Sequence, residues 1–354
     1  MKTLKRTLAL ATIGLAAVAT SAQAQTQARP VVQFIATGGT IAMKIDPVTK
    51  GVVPAISGDD LMQTVPDAGK YATIEVNNFS AMSSNYIEAK WWTRLTKAVD
   101  DALARPEVAG VVIAHGTDTM EETAYWLDLT VKSDKPVILI GAQRNASSPD
   151  FDGPRNLLNA IRIATTPEAR GKGVMLAMNN QINAARNVTK THTANVETFN
   201  SGDFGFLGEV WDDKVVFTRS PLRRQHIDIG SAEMPRVEIV AMFGGADGSL
   251  MRYAVDQGAK GIVVQAVGMG NMNVSMFEAL KYALSKGVPV VVSTRVHNGR
   301  TRPVYGFVGG GKTSDEAGAV MAGDLSPQKA RLLLMLQLHR GVTGKAELQA
   351  AFDR

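Results

Sequence analysis

Four short runs, VVQFIA from Val31, GVVIA from Gly110, PVILIG from Pro136 and GVMLAM from Gly173, contain no charged residue. Runs of this length, rich in branched residues and bounded by glycine or proline, read as strands apolar on both faces. Such strands call for a parallel sheet covered by helices on both sides. The intervening sequence supplies helices. Glu88 to Ala104 is amphipathic, and a helix after Thr119 reaches Leu129 with Glu121 and Glu122 in its first turn, where the helix dipole favours them. Asp152-Gly153-Pro154 opens another to about Ala164, with proline where its missing N–H costs nothing. Thr73 to Phe79 reads as a further strand, and a short helix is expected near Asp59–Thr64. After a polar, proline-bounded stretch the pattern restarts: strands Val237–Phe243, Gly261–Ala266 and Val288–Ser293, and helices Ser249–Gln257, Ser275–Ser285, Pro327–His339 and Lys345–Phe352. The fold class is therefore α/β. A larger N-terminal domain, 25–220, holds a mostly parallel sheet covered by helices, a linker follows at 221–236, and a smaller α/β domain occupies 237–354.

The 354 residues allow two ordinary domains, and 45% hydrophobic with 20% charged content is globular. The first 24 residues stand apart. Lys2, Lys5 and Arg6 precede an apolar run, Leu8 to Ala19, too short to span a bilayer, and Ala22-Gln23-Ala24 has the small-x-small form of a cleavage site. This is the pattern of a secretory signal peptide cut after Ala24. Its removal lowers the net charge from +5 to +2, so charge is no argument for a nucleic-acid partner, and no basic stripe with interleaved aromatics supplies one. No membrane partner is expected either. With no cysteine there is no disulfide and no lipoprotein anchor, so stability must come from core burial and oligomerisation. The five histidines are scattered without metal-ligand spacing, and the reading includes no metal and no cofactor.

Chemistry concentrates where the strands stop. The first ends on Thr37-Gly38-Gly39-Thr40, the second on His115-Gly116-Thr117-Asp118-Thr119. Thr-Gly-Gly-Thr alone suits a phosphate cradle, a nucleophile turn or a tight bend. Sheets of this kind gather such ends into one crevice. A threonine hydroxyl becomes a nucleophile only beside a base and donors for the oxyanion, and Lys190 and Asp118 are the available partners. A lysine takes the part of base where desolvation favours its neutral form, and Asp118 could instead hold a substrate ammonium. Gly306 to Thr313 satisfies GxxxxGK[ST] in full, but Arg300 to Tyr305 before it is no buried strand and Gly318 and Gly323 weaken any helix after it. A mobile glycine loop is the better reading there.

Taken together, ATGGTIA at Ala36–Ala42 and HGTDTMEETA at His115–Ala124 closely resemble the two signatures of the bacterial L-asparaginase family in its exported, type II form. Asp152-Gly153-Pro154, Val188-Thr189-Lys190-Thr191, Val267 to Asn271, Tyr305 to Val308 and Pro327 to Arg331 extend the resemblance in order along the mature chain. The resemblance implies a periplasmic hydrolase that releases ammonia from the side-chain amide of asparagine, with glutamine as a possible second substrate. It implies Thr40 as the nucleophile, Thr117 as the second catalytic threonine activated by Lys190, and Asp118 on the substrate's α-amino group. Ser83 matches the serine that grips the α-carboxylate, Ser84 follows it, and Asn271 would come from the neighbouring subunit of a homotetramer built as a dimer of dimers. Three positions depart from the family pattern. Residues 41–70 lack the loop tyrosine, Gly51 to Val53 standing in its place. His297 to Val304 lacks the partner-subunit glutamate. Ser84 replaces the usual glutamine or glutamate. The competing readings are a periplasmic amino-acid-binding protein without catalysis and an amidase for another β-amide.

Overall fold

The computed structural model describes residues 29–230 and 233–354, so the expected signal peptide lies outside the described residues. The apolar runs form the strands Val31–Ala36, Val108–Ala114, Val137–Ile140 and Val174–Met178, buried along most of their length. With Thr73–Asn78 on the far side of Val31–Ala36, they make five parallel neighbours. Three strands absent from the sequence reading, Gln181–Ala184, Gly208–Trp211 and Lys214–Phe217, extend this sheet to eight by antiparallel pairing.

Strand order sets the position of the crevice. From Val31–Ala36 the chain moves to one side to make Thr73–Asn78, then to the other to make Val108–Ala114. Connections leave in opposite directions at that point, and the carboxyl ends there open a gap. Ala36 lies level with both Asn78 and Ala114, so the three loops that follow start at the same height.

The second sheet is parallel, in the order Val237–Ala241, Gly261–Ala266, Val290–Thr294, Val320–Met321. One apolar core serves both sheets. It joins Val111 and Leu139 to Val263 and Val291 through Trp126, Leu129, Leu333 and Leu336. The helix Met120–Thr130 is buried on nearly every face because it lies against the first sheet on one side and the helix Pro327–His339 on the other. The stretch between the sheets carries no helix or strand through residue 230, yet it is fastened down: Ile227 is buried and its N–H donates to the Leu129 carbonyl at 2.7 Å.

Candidate active site

Three loops meet above the crevice with almost no side chains between them. Gly38 and Gly39 hold φ of 109° and 82°, a region that glycine enters without strain. A methyl group on Gly38 would stand 2.5 Å from the Met82 carbonyl oxygen, and one on Gly39 would stand 2.2 Å from the Gly116 Cα. Gly116 in turn has the Ser84 hydroxyl 2.7 Å from where its side chain would begin. The glycines therefore bring backbone against backbone and draw residues 37–40, 82–84 and 115–119 into one cluster.

Within the cluster the threonines divide. The Thr37 hydroxyl donates to the Ala114 carbonyl at 2.8 Å and only stitches the first loop to its neighbour strand. The Thr119 hydroxyl is spent on the Ser84 carbonyl at 2.8 Å. Thr40 opens a single turn of 3₁₀ helix, Thr40–Ala42, pinned by buried Ile41 and Ala42. It is half-buried, and among the described residues its hydroxyl has no hydrogen-bond partner.

The fourth threonine is buried and engaged. Lys190 Nζ lies 2.8 Å from Thr117 Oγ1 and 2.7 Å from Asp118 Oδ1. The lysine reaches them across 73 residues of sequence, from a two-residue strand, Thr189–Lys190, paired with Phe199–Asn200. Its own N–H donates to Glu121 Oε2 at 2.9 Å. The Asp118 side chain is 67% exposed, so one face of the carboxylate remains open to a ligand while the other meets Lys190. Glu121 is missing from the sequence reading as a site residue. A carboxylate in the first turn of a helix suits the dipole, and nothing local shows that it is buried and holds the lysine's backbone.

A second residue escaped notice in the same way. His115 is fully buried behind the loop, Nδ1 2.7 Å from the Gly116 carbonyl oxygen and Nε2 2.9 Å from Thr123 Oγ1, which also accepts from Trp92 Nε1 at 2.8 Å. Burial lowers its pKa to about 4, so the ring is neutral. Facing a carbonyl, Nδ1 must carry the proton and Nε2 must accept from Thr123. The ring anchors the Gly116 backbone.

The remaining expected site residues lie as follows. Ser84 is buried against Gly116, and half-buried Ser83 shares its hydroxyl with Asn85 Oδ1. Asn271 lies beyond the end of Gly261–Ala266 in the second sheet, where its Oδ1 accepts from the Gly311 N–H at 3.3 Å. Among the described residues no hydrogen bond joins it to the first sheet's loops. The loop lacking tyrosine folds as an exposed hairpin, Met43–Ile45 against Val52–Pro54. The GGGKT stretch is not slack. A side chain on Gly309 or Gly310 would stand 2.3 Å from the Met272 or Tyr305 carbonyl oxygen, and a six-residue helix, Gly311–Glu316, follows. Its glycines close the loop onto its own neighbours, and no buried strand feeds it. Among the described residues no group of three or more His, Asp or Glu is placed to hold a metal ion, and no helix is long and apolar enough to cross a membrane.

An unpartnered threonine hydroxyl beside a threonine–lysine–aspartate cluster is an arrangement for acyl transfer. Comparison with known proteins agrees. Residues 31–223 match the family model described as asparaginase, N-terminal, and residues 236–352 match the glutaminase/asparaginase C-terminal domain. The chain is 36% identical to L-asparaginase 2 of Bacillus subtilis (strain 168) over 92% of its length and 86% of that protein. It is 38% identical to L-asparaginase 2 of Escherichia coli (strain K12), over 88% of this chain and 89% of that one. The crystal structure of a probable cytoplasmic L-asparaginase from Campylobacter jejuni is similar with a TM-score of 0.84 at 37% identity, covering 92% of this chain and 100% of that one. The chain belongs to the asparaginase family.

Proposed function

We propose that the protein hydrolyses the side-chain amide of L-asparagine to L-aspartate and ammonia, with Thr40 as nucleophile. The observation that carries this reading is Lys190 Nζ placed between Thr117 Oγ1 and Asp118 Oδ1, at 2.8 and 2.7 Å, in the crevice where Thr40 stands unpartnered. The open face of Asp118 takes the α-ammonium, and Ser83, with Ser84 beside it, takes the α-carboxylate. The amide carbon then faces Thr40. Thr40 Oγ forms the new C–O bond, backbone amides near Thr40 and Thr117 stabilise the oxyanion, and the C–N bond breaks. Thr117, coupled to Lys190, relays the Thr40 hydroxyl proton to the nitrogen, which leaves as ammonia. In the second half water attacks the ester, its proton passes to the Thr117–Lys190 pair, and the Thr40 oxygen departs and is reprotonated.

The assembly reading is a homotetramer, a dimer of dimers, with Asn271 of a neighbouring subunit completing each site. Exposed Phe243, Leu250, Tyr253, Val274 and Phe307 on the second unit support it. The division into units at 221–236 belongs to the same reading. So does a periplasmic location, supported by the basic and apolar leader and by 38% identity to a probable periplasmic L-asparaginase of Haemophilus influenzae. Glutamine is a second substrate to test, because Ser84 is shorter than the family's usual residue. Ammonia release from asparagine and glutamine, measured side by side at low concentration, is the deciding experiment. Turnover of asparagine is expected. Thermal stabilisation by asparagine without ammonia would make the protein a binder, and ammonia only from other β-amides would make it a different amidase.

A further inference from the structure

The segment leading into Lys190 belongs to the first sheet's side of the molecule, yet a lysine of the second sheet's side donates to its carbonyls. Lys329, in the first turn of the helix Pro327–His339, is 2% exposed. Among the described residues no carboxylate lies within ion-pair distance of it. Its Nζ donates instead to the carbonyls of Arg186 at 3.0 Å and Val188 at 2.5 Å, with the Tyr125 ring 5.9 Å away. Burying an ammonium whose direct partners are neutral carbonyls is unfavourable; burial lowers its pKa to about 8 even though the charges of Glu121, Asp128 and Asp324 act the other way. A group kept at such a cost calls for an explanation other than stability.

Its partners suggest one. Arg186 and Val188 lie four and two residues before Lys190. The Arg186 side chain is held separately by Asp324, buried in the second unit, at 2.6 Å. The Lys190 N–H is held by Glu121. Within the first unit the segment 186–190 is held by the Ala184 carbonyl, which accepts from the N–H groups of Asn187 and Val188 at 3.0 Å, by the pairing of Thr189–Lys190 with Phe199–Asn200, and by Glu121 on the last amide. From the second unit Asp324 and the Arg354 carbonyl hold the Arg186 side chain, and Lys329 holds two carbonyls. Among the described residues only Lys329 grips this main chain from the second unit.

We propose that Lys329 is a positioning residue: it fixes the main chain of residues 186–188 so that Lys190 Nζ meets Thr117 Oγ1. This rests on the reading of Lys190 given above. The test compares Lys329→Met, Lys329→Gln and Lys190→Met in the full-length protein, with kcat normalised to folded protein. In Lys329→Met, kcat falls about 10- to 100-fold, the scale of a misplaced catalytic group, while KM for asparagine stays within about two-fold. The Lys329→Gln amide ends one bond short and reaches a single carbonyl, so its kcat is intermediate. Should Lys329→Met not fold, Lys329→Gln decides: a several-fold loss of kcat at constant KM supports the inference, and wild-type kcat overturns it. A purely structural lysine would lower the melting temperature and leave kcat per folded site unchanged, which also overturns it. If Lys190→Met itself retains activity, the underlying reading of Lys190 fails. If Lys190→Met is inactive and both Lys329 variants turn over at the wild-type rate, only the inference about Lys329 fails.

Discussion

Both sheets end their strands in polar loops rich in glycine, and in only one of the two do those glycines bring separate strand-end loops together. In the first sheet Gly38, Gly39 and Gly116 each have an atom of another loop within 2.7 Å of where a side chain would begin. In the second, Gly299 and Gly306 have nothing within 4 Å, and the packed glycines at 309–311 fold their loop onto residues of the same unit. A glycine-rich strand end is therefore not itself the sign of function. What matters is whether the missing side chain admits a second loop that carries a reacting group. Thr40 and Thr117 share one crevice because Gly39 and Gly116 touch.

The largest effect that would break this comparison comes from Gly39→Ala. The methyl group meets Gly116 and the backbone keeps a φ of 82°, so strain and overpacking together cost about 2–6 kcal/mol. Gly299→Ala, at a φ of 95° in open space, carries the strain alone, about 1–3 kcal/mol. Chemical denaturation of the two variants checks the difference, and equal losses would remove the argument from loop contact. Next comes Lys190→Met, expected to lower kcat by about 10²- to 10⁴-fold, the range for loss of an acid–base group, with the melting temperature little changed. Steady-state kinetics beside a thermal melt decide it.

A smaller effect tests the support behind the loop. His115 has a folded pKa of about 4 against an ordinary 6.5. The unfolded chain therefore takes up a proton that the folded chain refuses, and stability is lost as pH falls from 6.5 towards 4. Between pH 7 and pH 5 the wild type should lose about 2 kcal/mol more than His115→Asn, read from urea midpoints at both pH values. The smallest effect belongs to the second unit's glycine loop. The Lys312 side chain is 57% exposed and only 3.9 Å from Glu316, so Lys312→Ala should change stability by less than about 0.5 kcal/mol and leave turnover unaltered. A large loss of activity there would revive a role for GGGKT.

The strands that read directly from sequence are those buried on both faces, because continuous apolar runs have one physical explanation. The strand Gly261–Ala266 and the helices expected near Pro327–His339 and Lys345–Phe352 lie where the sequence puts them. Gly208–Trp211 and Lys214–Phe217 do not show in it, because they are the partly exposed end of the sheet and carry charged or exposed residues that resemble a loop. The site divided in the same way. Thr40, Thr117 and Asp118 stand at strand ends and could be read. That Lys190 touches Thr117 depends on a 73-residue return of the chain, and family resemblance rather than spacing pointed to it. Glu121 and Lys329 act on backbone atoms of distant segments, and His115 braces its own loop from a fully buried ring; no pattern in sequence encodes contacts of those kinds.

The central claim is that Thr40 is the nucleophile and that Thr117, although better connected, is not. Single-turnover kinetics of Thr40→Ala with asparagine, beside a thermal melt with the same ligand, test it most directly. The account predicts no release of ammonia above background while asparagine still raises the melting temperature, because Asp118 and Ser83 remain. Ammonia release near the wild-type rate from Thr40→Ala would contradict it.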